Sequence, residues 1–358
     1  MSDIAPVRDA DQLDWARIAA HLRAHLPEIA AAAAAPVVQQ FTNGAANLTY
    51  LLRFGERELV LRRPPFGTIP PGAHDMKREW RVLSRLWRHY DRAPRAYLFC
   101  DDPAIAGADF FVMERRPGAV VRGEIPLTMA AQPDAGRRLG LALVDAMAEL
   151  HLLSPAAAEI ADLGKPDGFV ARQVSGWRRR WELAEPLARE EVKAPMAAVA
   201  ERLGASLPSP QRASIVHNDL KLDNCAFDPA DPDRVQAVFD WDMTTVGDPL
   251  VDLGTLLNYW PDPSDTLDVR RGSHDGMREM GLPTRAEVVA RYAARTGLDC
   301  KRAAWYEAFG QWKTAVVVQQ LHNRWRQGAS ADPRHEHIAD SVPPLASSAA
   351  ELLDRIGA

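Results

Sequence analysis

The sequence predicts an α+β protein of two lobes, in which a small antiparallel sheet precedes a larger, mainly helical part. The 358 residues are enough to bury more than one core. Short apolar runs separated by turn residues occur up to Met113, as is typical of strands. After that point apolar residues recur at helical spacing. We therefore expect an N-lobe over residues 1–113 and a C-lobe over residues 114–358.

The N-lobe strands are expected where β-formers lie between turn residues. The predicted strands cover residues 36–42, 48–54, 58–63, 96–100 and 110–113. Helices are expected where apolar side chains recur on one face. The predicted helices cover residues 10–26, 75–90, 134–153, 168–192, 285–297 and 303–326.

The turn between the first two strands contains Asn43 and Gly44. A strand, a loop of small residues and a strand, followed by a third strand, is the arrangement with which kinases cover nucleotide phosphates. The loop has a single glycine and lacks the Gly-x-Gly-x-x-Gly pattern. An ordinary hairpin is the alternative for this segment.

Charged residues follow on the third strand and on the next helix. Strand alternation places Val60 and Arg62 on one face, with Leu59 and Leu61 on the other. Arg62 is either a phosphate ligand or a solvated charge at a strand end. Glu79 lies on the helix that follows. It has either a role in the site or the simpler role of an exposed glutamate that pairs with a neighbouring arginine.

The most informative stretch runs from Ile215 to Phe227 and reads as strand, tight loop and strand. Its loop carries Asp219 and, five positions later, Asn224. A second apolar run, Val238-Phe239, delivers Asp240. A hydroxyl kinase needs one carboxylate that accepts the hydroxyl proton, and an amide and a second carboxylate that hold Mg²⁺. Asp219 fits the first role, and Asn224 and Asp240 fit the second.

These motifs resemble those of the protein-kinase-like superfamily, with His217-x-Asp219-Leu-Lys221-x-x-Asn224 followed by Asp240-Trp-Asp where a protein kinase has Asp-Phe-Gly. The closest likeness is to the aminoglycoside phosphotransferase family and to the choline and homoserine kinases. Gly247-Asp248-Pro249-Leu250-Val251-Asp252-Leu253 is similar to the continuation that this family has after its metal-binding Asp. The resemblance implies a two-lobed protein-kinase-like fold.

Two further segments, 281–285 and 305–309, are similar to one branch of this family. That branch is the kinase-like domain found fused to, or beside, acyl-CoA dehydrogenases. It implies a functional link to such a dehydrogenase. It also implies an anionic acceptor such as a hydroxyacyl-CoA, in preference to a polycationic aminoglycoside.

The resemblance also implies nucleotide-binding roles in the N-lobe. Val60 would cover the adenine, and Met113 and Glu114 would form the hinge whose backbone binds the adenine edge. Arg62 stands where the family usually has a lysine on the strand, and Glu79 would pair with it. An arginine can bind phosphate in a bidentate way, although its planar group is geometrically stricter than an ammonium.

In the C-lobe the resemblance implies that Lys221 contacts the γ-phosphate. His217 would hold the loop backbone, and Asp252 would brace the same loop. The basic residues of segment 168–192 are either the solvated face of an amphipathic helix or a wall of the acceptor site.

Composition narrows the partners. The net charge of −5 does not indicate a broad basic surface, so no nucleic-acid partner is expected. The three cysteines are far apart and have no Cys-x-x-Cys spacing, which fits a reducing compartment. No signal peptide and no membrane-spanning run are apparent, so a cytoplasmic location is expected.

The function predicted from the sequence is ATP- and Mg²⁺-dependent transfer of phosphate to a hydroxyl of a small molecule. The alternative is a nucleotide-binding regulatory module without chemistry, which the arginine at position 62 and the degenerate loop favour slightly. A protein kinase is less favoured because no Ala-Pro-Glu segment follows Asp240. A Walker-type ATPase is disfavoured because its glycine-lysine motif does not occur.

Overall fold

Antiparallel strands and helices are distributed over two compact units in this computed structural model. It describes residues 4–32, 34–42, 47–66, 75–265, 276–330 and 332–358. The first unit comprises residues 1–117, 158–160 and 236–244, and the second comprises 118–157, 161–235 and 245–358. The first unit thus includes two short segments, residues 158–160 and 236–244, that come after the predicted lobe boundary at 113/114. That boundary stays a prediction.

A sheet of six strands forms the framework of the first unit, in the order β1-β2-β3-β4-β6-β5. The paired strands are antiparallel, as predicted. The strands are β1 (Ile4–Pro6), β2 (Val37–Phe41), β3 (Leu48–Phe54), β4 (Arg57–Arg63), β5 (Ala96–Cys100) and β6 (Phe110–Glu114). The helices of this unit are α1 (Trp15–His25), α2 (Met76–Leu86) and α3 (Pro103–Ala106).

The core of the first unit lies on one face of this sheet. Leu59 and Leu61 of β4 belong to it together with Ile18 and Leu22 of α1. Because side chains alternate along a strand, this burial turns Val60 and Arg62 toward the opposite face, as the sequence predicted. On α2 the helix begins after Asp75, whose carboxylate accepts a hydrogen bond from the N–H of Arg78.

The second unit is mainly helical. Its helices are α4 (Leu127–Ala130), α5 (Ala135–Leu152), α6 (Phe169–Ala184), α7 (Glu190–Ala205), α8 (Leu250–Tyr259), α9 (Arg285–Thr296), α10 (Ala303–Arg326) and α11 (Val342–Arg355). Its short strands are β7 (Ala119–Val120), β8 (Ser214–Val216), β9 (Cys225–Asp228) and β11 (Thr245–Gly247), and β10 (Asp231–Val238) begins in it. The predicted fold class, a small antiparallel sheet with a larger helical part, is confirmed.

Two helical details differ from the sequence expectations. The single helix expected over 168–192 is divided, because α6 ends at Ala184 and a short turn containing Pro186 precedes α7. Proline interrupts helical hydrogen bonding, which explains the division. Helix α11 was not predicted, although two prolines in its first turn are compatible with a helix start. No helix among the described residues is both long and apolar enough to span a membrane.

Helices α8 and α10 approach closely through glycines. A Cβ atom on Gly254 would lie 2.2 Å from the backbone oxygen of Tyr306, and one on Gly310 would lie 2.8 Å from the backbone oxygen of Gly254. Both distances are shorter than any real contact, so only glycine allows this packing. The contact matters for the site, because α8 carries Asp252 and α10 carries Lys313.

Candidate active site

Arg62 makes two ion pairs within the first unit. Its Nη1 donates to Oε1 of Glu79 at 2.7 Å, and its Nη2 donates to Oδ1 of Asp240 at 3.0 Å. The side chain of Glu79 is 1% exposed and that of Asp240 is 37% exposed. One guanidinium thus holds two carboxylates through two donors of its planar fork, an arrangement that suits arginine better than lysine.

The segment that carries Asp240 is held against α2. The N–H of Trp241 donates to Oε1 of Glu79 at 3.4 Å, and Nη2 of Arg78 donates to the Thr244 carbonyl at 2.6 Å. Asp240 itself has a φ of +67°, which is uncommon for a residue with a side chain. These contacts define where the Asp240 carboxylate points.

Burial and charge have opposite effects on this ion pair. Burial alone would lower the pKa of Arg62, but the carboxylates of Glu79 and Asp240 outweigh it and raise that pKa. Burial raises the pKa of Glu79, and Asp240 adds to this rise while Arg62 opposes it. Arg62 therefore stays charged. Two of its five N–H donors are used in the two ion pairs, and its Nε is buried without a hydrogen-bond partner among the described residues.

The residues expected around the adenine lie on β4 and β6. Val60 and Met113 are directly paired across the two strands, so their side chains share one face. The N–H of Glu114 donates to the Arg95 carbonyl at 2.8 Å, and its carboxylate accepts from the N–H of Arg95. The backbone donor of Glu114 is therefore occupied within the protein, although the sequence led us to expect it at the adenine edge. Asn43 and Gly44 lie outside the described residues.

In the second unit, Asp219 lies in the loop between β8 and β9. Its Oδ2 accepts hydrogen bonds from Nδ2 of Asn224 at 3.1 Å and lies 3.2 Å from Nζ of Lys221. Nδ2 of Asn224 also donates to the Asp219 carbonyl at 2.8 Å. In the part of the chain that the structure describes, no donor contacts the other carboxylate oxygen, Oδ1. Oδ1 therefore remains available as an acceptor, and the side chain of Asp219 is 25% exposed.

Asp252 of α8 supports the backbone of the same loop. Its carboxylate accepts from the backbone N–H groups of His217 at 2.7 Å and Asn218 at 2.6 Å. It also contacts Nε2 of His151 at 3.0 Å, and Nδ1 of His151 lies 2.7 Å from the hydroxyl of Tyr292. Burial would raise the pKa of Asp252, but these hydrogen bonds outweigh it and lower the pKa. The brace expected from the sequence is therefore present as a buried carboxylate network.

Lys221 is bound on three sides. Besides Asp219, its ammonium lies 3.9 Å from Asp223 and 4.9 Å from the centre of the Tyr259 ring. Burial would lower the pKa of Lys221, but Asp219, Tyr259 and Asp223 outweigh it and raise the pKa. Lys221 is therefore a fixed positive charge beside the Asp219 carboxylate.

Mg²⁺ binds oxygen ligands, and it typically takes only one or two protein carboxylates together with substrate phosphates and water. Asn224 donates through Nδ2 to Asp219, which leaves its Oδ1 without a hydrogen bond among the described residues. Asp240 offers a carboxylate that is partly exposed. These two side chains therefore fit Mg²⁺ by their chemistry. Within the described ranges there is no group of three or more His, Cys, Asp or Glu residues that could hold a metal ion.

One residue close to this loop was missed by the sequence analysis. Nζ of Lys313, on α10, donates to the carbonyl of Asn218 at 3.0 Å. No motif marks this lysine, because it lies 95 positions from Asn218 in the chain. Only its place on a mostly buried part of the helix distinguishes it, since Trp312 and Thr314 beside it are buried.

Comparison with known proteins agrees with this geometry. Residues 37–306 match the model of the phosphotransferase enzyme family. The chain belongs to the phosphotransferase enzyme family. The matched region contains both ion pairs of Arg62 and the whole Asp219 loop. The predicted enzyme class, a small-molecule kinase, is therefore confirmed.

Relatives of this phosphotransferase include acyl-CoA dehydrogenase family member 11 from Rattus norvegicus, which is 32% identical over 361 residues. The alignment covers 99% of this chain and 45% of that protein. The human protein of the same name is 30% identical with the same coverage. The chain thus spans less than half the length of these curated relatives. The predicted resemblance to the branch associated with acyl-CoA dehydrogenases is confirmed.

Solved structures show the same fold. A candidate aminoglycoside phosphotransferase from Ralstonia eutropha JMP134 superposes with a TM-score of 0.77 at 25% identity, covering 96% of this chain and 99% of the other. Choline kinase from Cryptosporidium parvum Iowa II superposes with a TM-score of 0.64 at 12% identity, covering 96% and 97%. The second likeness concerns the fold alone.

Proposed function

We propose that this phosphotransferase moves the γ-phosphate of ATP to a hydroxyl of a small molecule, with Mg²⁺ as the metal. The observation that carries the proposal is the hydrogen bonding of the Asp219 carboxylate. One of its oxygens is held by Asn224 and Lys221, and the other has no donor among the described residues. A carboxylate that is fixed by one oxygen and open at the other is suited to orient a hydroxyl and accept its proton.

The nucleotide roles are assigned by residue. Val60 and Met113 form one apolar surface for the adenine, and Asn43, Gly44 and the hinge residue Glu114 complete this part of the proposal. Glu79 holds Arg62 in place. Arg62 offers a charged donor to phosphate oxygens.

Lys221, Asn224 and Asp240 complete the charge distribution. Lys221, a fixed positive charge beside Asp219, would contact the γ-phosphate. Asn224 and Asp240 would hold Mg²⁺, which when bound neutralises charge on the phosphates. Positive groups arranged in advance stabilise the charge that develops during transfer without further reorganisation.

An anionic acceptor is favoured over an aminoglycoside. Helix α6 presents Arg178, Arg179 and Arg180 as exposed residues, and a polycationic acceptor would be repelled by such a face. The relatives carry the name acyl-CoA dehydrogenase. We therefore propose a hydroxyacyl-CoA or a related anionic metabolite as the acceptor class, and a functional link to an acyl-CoA dehydrogenase.

The test measures ADP release from Mg-ATP over a panel of acceptors: hydroxyacyl-CoAs, hydroxy acids, choline, homoserine, sugars and aminoglycosides. We expect turnover with an anionic acceptor. Asp219→Asn keeps the size of the side chain but removes the base, so turnover should fall by about 10²- to 10⁴-fold. Asp91→Asn is the control, because Asp91 is 91% exposed and outside the proposed machinery.

Turnover of the two variants is compared with turnover of the wild type. Acceptor-dependent turnover that is lost in Asp219→Asn and kept in Asp91→Asn supports the proposal. If Asp219→Asn stays fully active, Asp219 is not the base. If the wild-type protein binds nucleotide but turns over no acceptor, the proposed transfer reaction is wrong.

A further inference from the structure

Lys313 is a partly buried lysine whose hydrogen-bonding capacity is mostly unused. A lysine ammonium has three N–H donors. In the described part of the chain, Lys313 donates only to the carbonyl of Asn218 and has no carboxylate within ion-pair distance. Two donors and a full positive charge thus remain beside the loop that carries Asp219.

The ammonium of Lys313 shares an aromatic ring with a second cation. Its Nζ lies 5.5 Å from the centre of the Trp177 ring, and Cζ of Arg180 lies 4.4 Å from the centre of the same side chain's ring. Arg180 is exposed, and among the described residues no carboxylate pairs with it. We call Lys313, Arg180 and Trp177 the Lys313 cluster.

The electrostatic setting of Lys313 favours an anion. Burial lowers the pKa of Lys313, and the charges of Lys221 and Arg180 act in the same direction, whereas Asp219 and Asp252 oppose them. An ammonium that has lost part of its hydration gains from an added negative partner. The charge distribution around Lys313 is therefore incomplete without one.

We propose that the Lys313 cluster binds an anionic group of the acceptor, a carboxylate or a phosphate, and so positions the acceptor hydroxyl at Asp219. This inference rests on the proposed phosphotransfer. The ring of Trp177 holds both cations in place, and the exposed guanidinium of Arg180 can donate hydrogen bonds to two oxygens of one anion. Lys313 binds that anion directly and is a specificity-determining residue of the site.

The experiment uses three probes that share one hydroxyl: hydroxybutyrate with a free carboxylate, hydroxybutyryl-CoA with phosphates, and neutral hydroxybutyramide. Binding of each is measured by calorimetry on the full chain saturated with Mg-AMP-PNP, and turnover is measured by ADP release. We expect one of the two anionic probes to bind better than the amide. Which one binds distinguishes a carboxylate from the phosphates of CoA as the bound group.

Lys313→Met should weaken binding of that anionic probe by about 10- to 100-fold, the amount expected for a hydrogen bond to a charged group. The KM for ATP should not change. Arg180→Gln should weaken binding of the same probe and leaves the hydrogen bond of Lys313 to the Asn218 carbonyl unchanged. It therefore tests the cluster even if Lys313→Met folds poorly. Lys301→Met is the control, because Lys301 is 89% exposed just before α10.

A purely structural role for Lys313 predicts a different result. If Lys313 only supports Asn218, Lys313→Met lowers kcat for every acceptor, leaves anion affinity unchanged, and is not matched by Arg180→Gln. That result overturns the inference, as does equal or absent binding of all three probes. If the wild type turns over no acceptor at all, the proposed function itself fails. If it turns over a neutral acceptor equally well, only the inference fails.

Discussion

Arg62 shows how one residue type determines the geometry of a site. Its two terminal nitrogens reach two carboxylates, on Glu79 and Asp240, from one strand position. The planar guanidinium makes both contacts with fixed angles, whereas an ammonium would have to bend toward one or the other. The replacement of the usual family lysine is therefore accommodated by the structure, and it ties the proposed metal ligand Asp240 to α2.

Arg62→Met is expected to destabilise the protein by about 3–5 kcal/mol, because it leaves the carboxylate of Glu79 buried without its partner. Arg62→Lys should cost less, since one of the two contacts can be kept. Unfolding in denaturant measures both values. The control is Arg53→Met, whose partner Glu58 is 35% exposed, and it should change stability by no more than about 1 kcal/mol. Equal losses in Arg62→Met and Arg53→Met would contradict the importance of the buried pair.

At the scale of elements, the contact between α8 and α10 supports the loop from two sides. Asp252 precedes Gly254 by two positions on α8, and Lys313 follows Gly310 by three on α10. Both side chains reach the loop residue Asn218, through its N–H and its carbonyl. The spacing between the two helices therefore sets the position of the loop backbone that presents Asp219.

Gly254→Ala should separate these helices, because the added carbon would lie 2.2 Å from the Tyr306 backbone oxygen. We expect a loss of about 1–3 kcal/mol, typical of overpacking, together with a lower kcat. Gly176→Ala is the matched control on α6, where an added carbon meets nothing within 4 Å. It should raise stability by about 0.5–1 kcal/mol through helix propensity. Thermal unfolding and ADP release compare the two, and similar behaviour of both variants would refute the close-contact explanation.

At the scale of the whole molecule, the chain order does not follow the packing. Residues 236–244, with Asp240, belong to the first unit, although the preceding and following segments belong to the second. Of the residues given roles above, Arg62 and Asp240 belong to the first unit, and Asp219 and Asn224 belong to the second. The chain corresponds to about 45% of the length of the human and rat relatives.

Mg-ATP is expected to stabilise the whole protein if the nucleotide site is as proposed. Ligand at a hundredfold excess over Kd adds about 2.7 kcal/mol to the free energy of unfolding. Thermal unfolding with Mg-ATP, with ATP plus EDTA, and without nucleotide measures this effect. Asp240→Ala should reduce the Mg²⁺-dependent part, whereas Asp219→Asn should keep the nucleotide-induced stabilisation. No stabilisation of the wild type by Mg-ATP would contradict the assignment of Arg62 to the phosphates.

Helices and strands were predicted best where the local sequence pattern specifies them. The bounds of β3 and α10 agree with the predicted ranges, since alternating or periodic apolar residues and turn residues specify them locally. Helices α7 and α11 were missed, because Pro195 lies inside the first and prolines open the second. For Glu79 two partners were open, and burial on α2 decided in favour of Arg62 over a neighbouring arginine.

The sequence by itself determined the chemistry of the loop, because His217, Asp219, Lys221 and Asn224 lie within eight positions and their spacing carries the family resemblance. Only the tertiary structure decided which distant residues complete it. Arg62 meets Asp240 across 178 positions, and Lys313 meets Asn218 across 95. No local periodicity encodes such pairs. They arise when the packing of strands and helices brings charged and polar groups close together, where each gains from a hydrogen-bond partner.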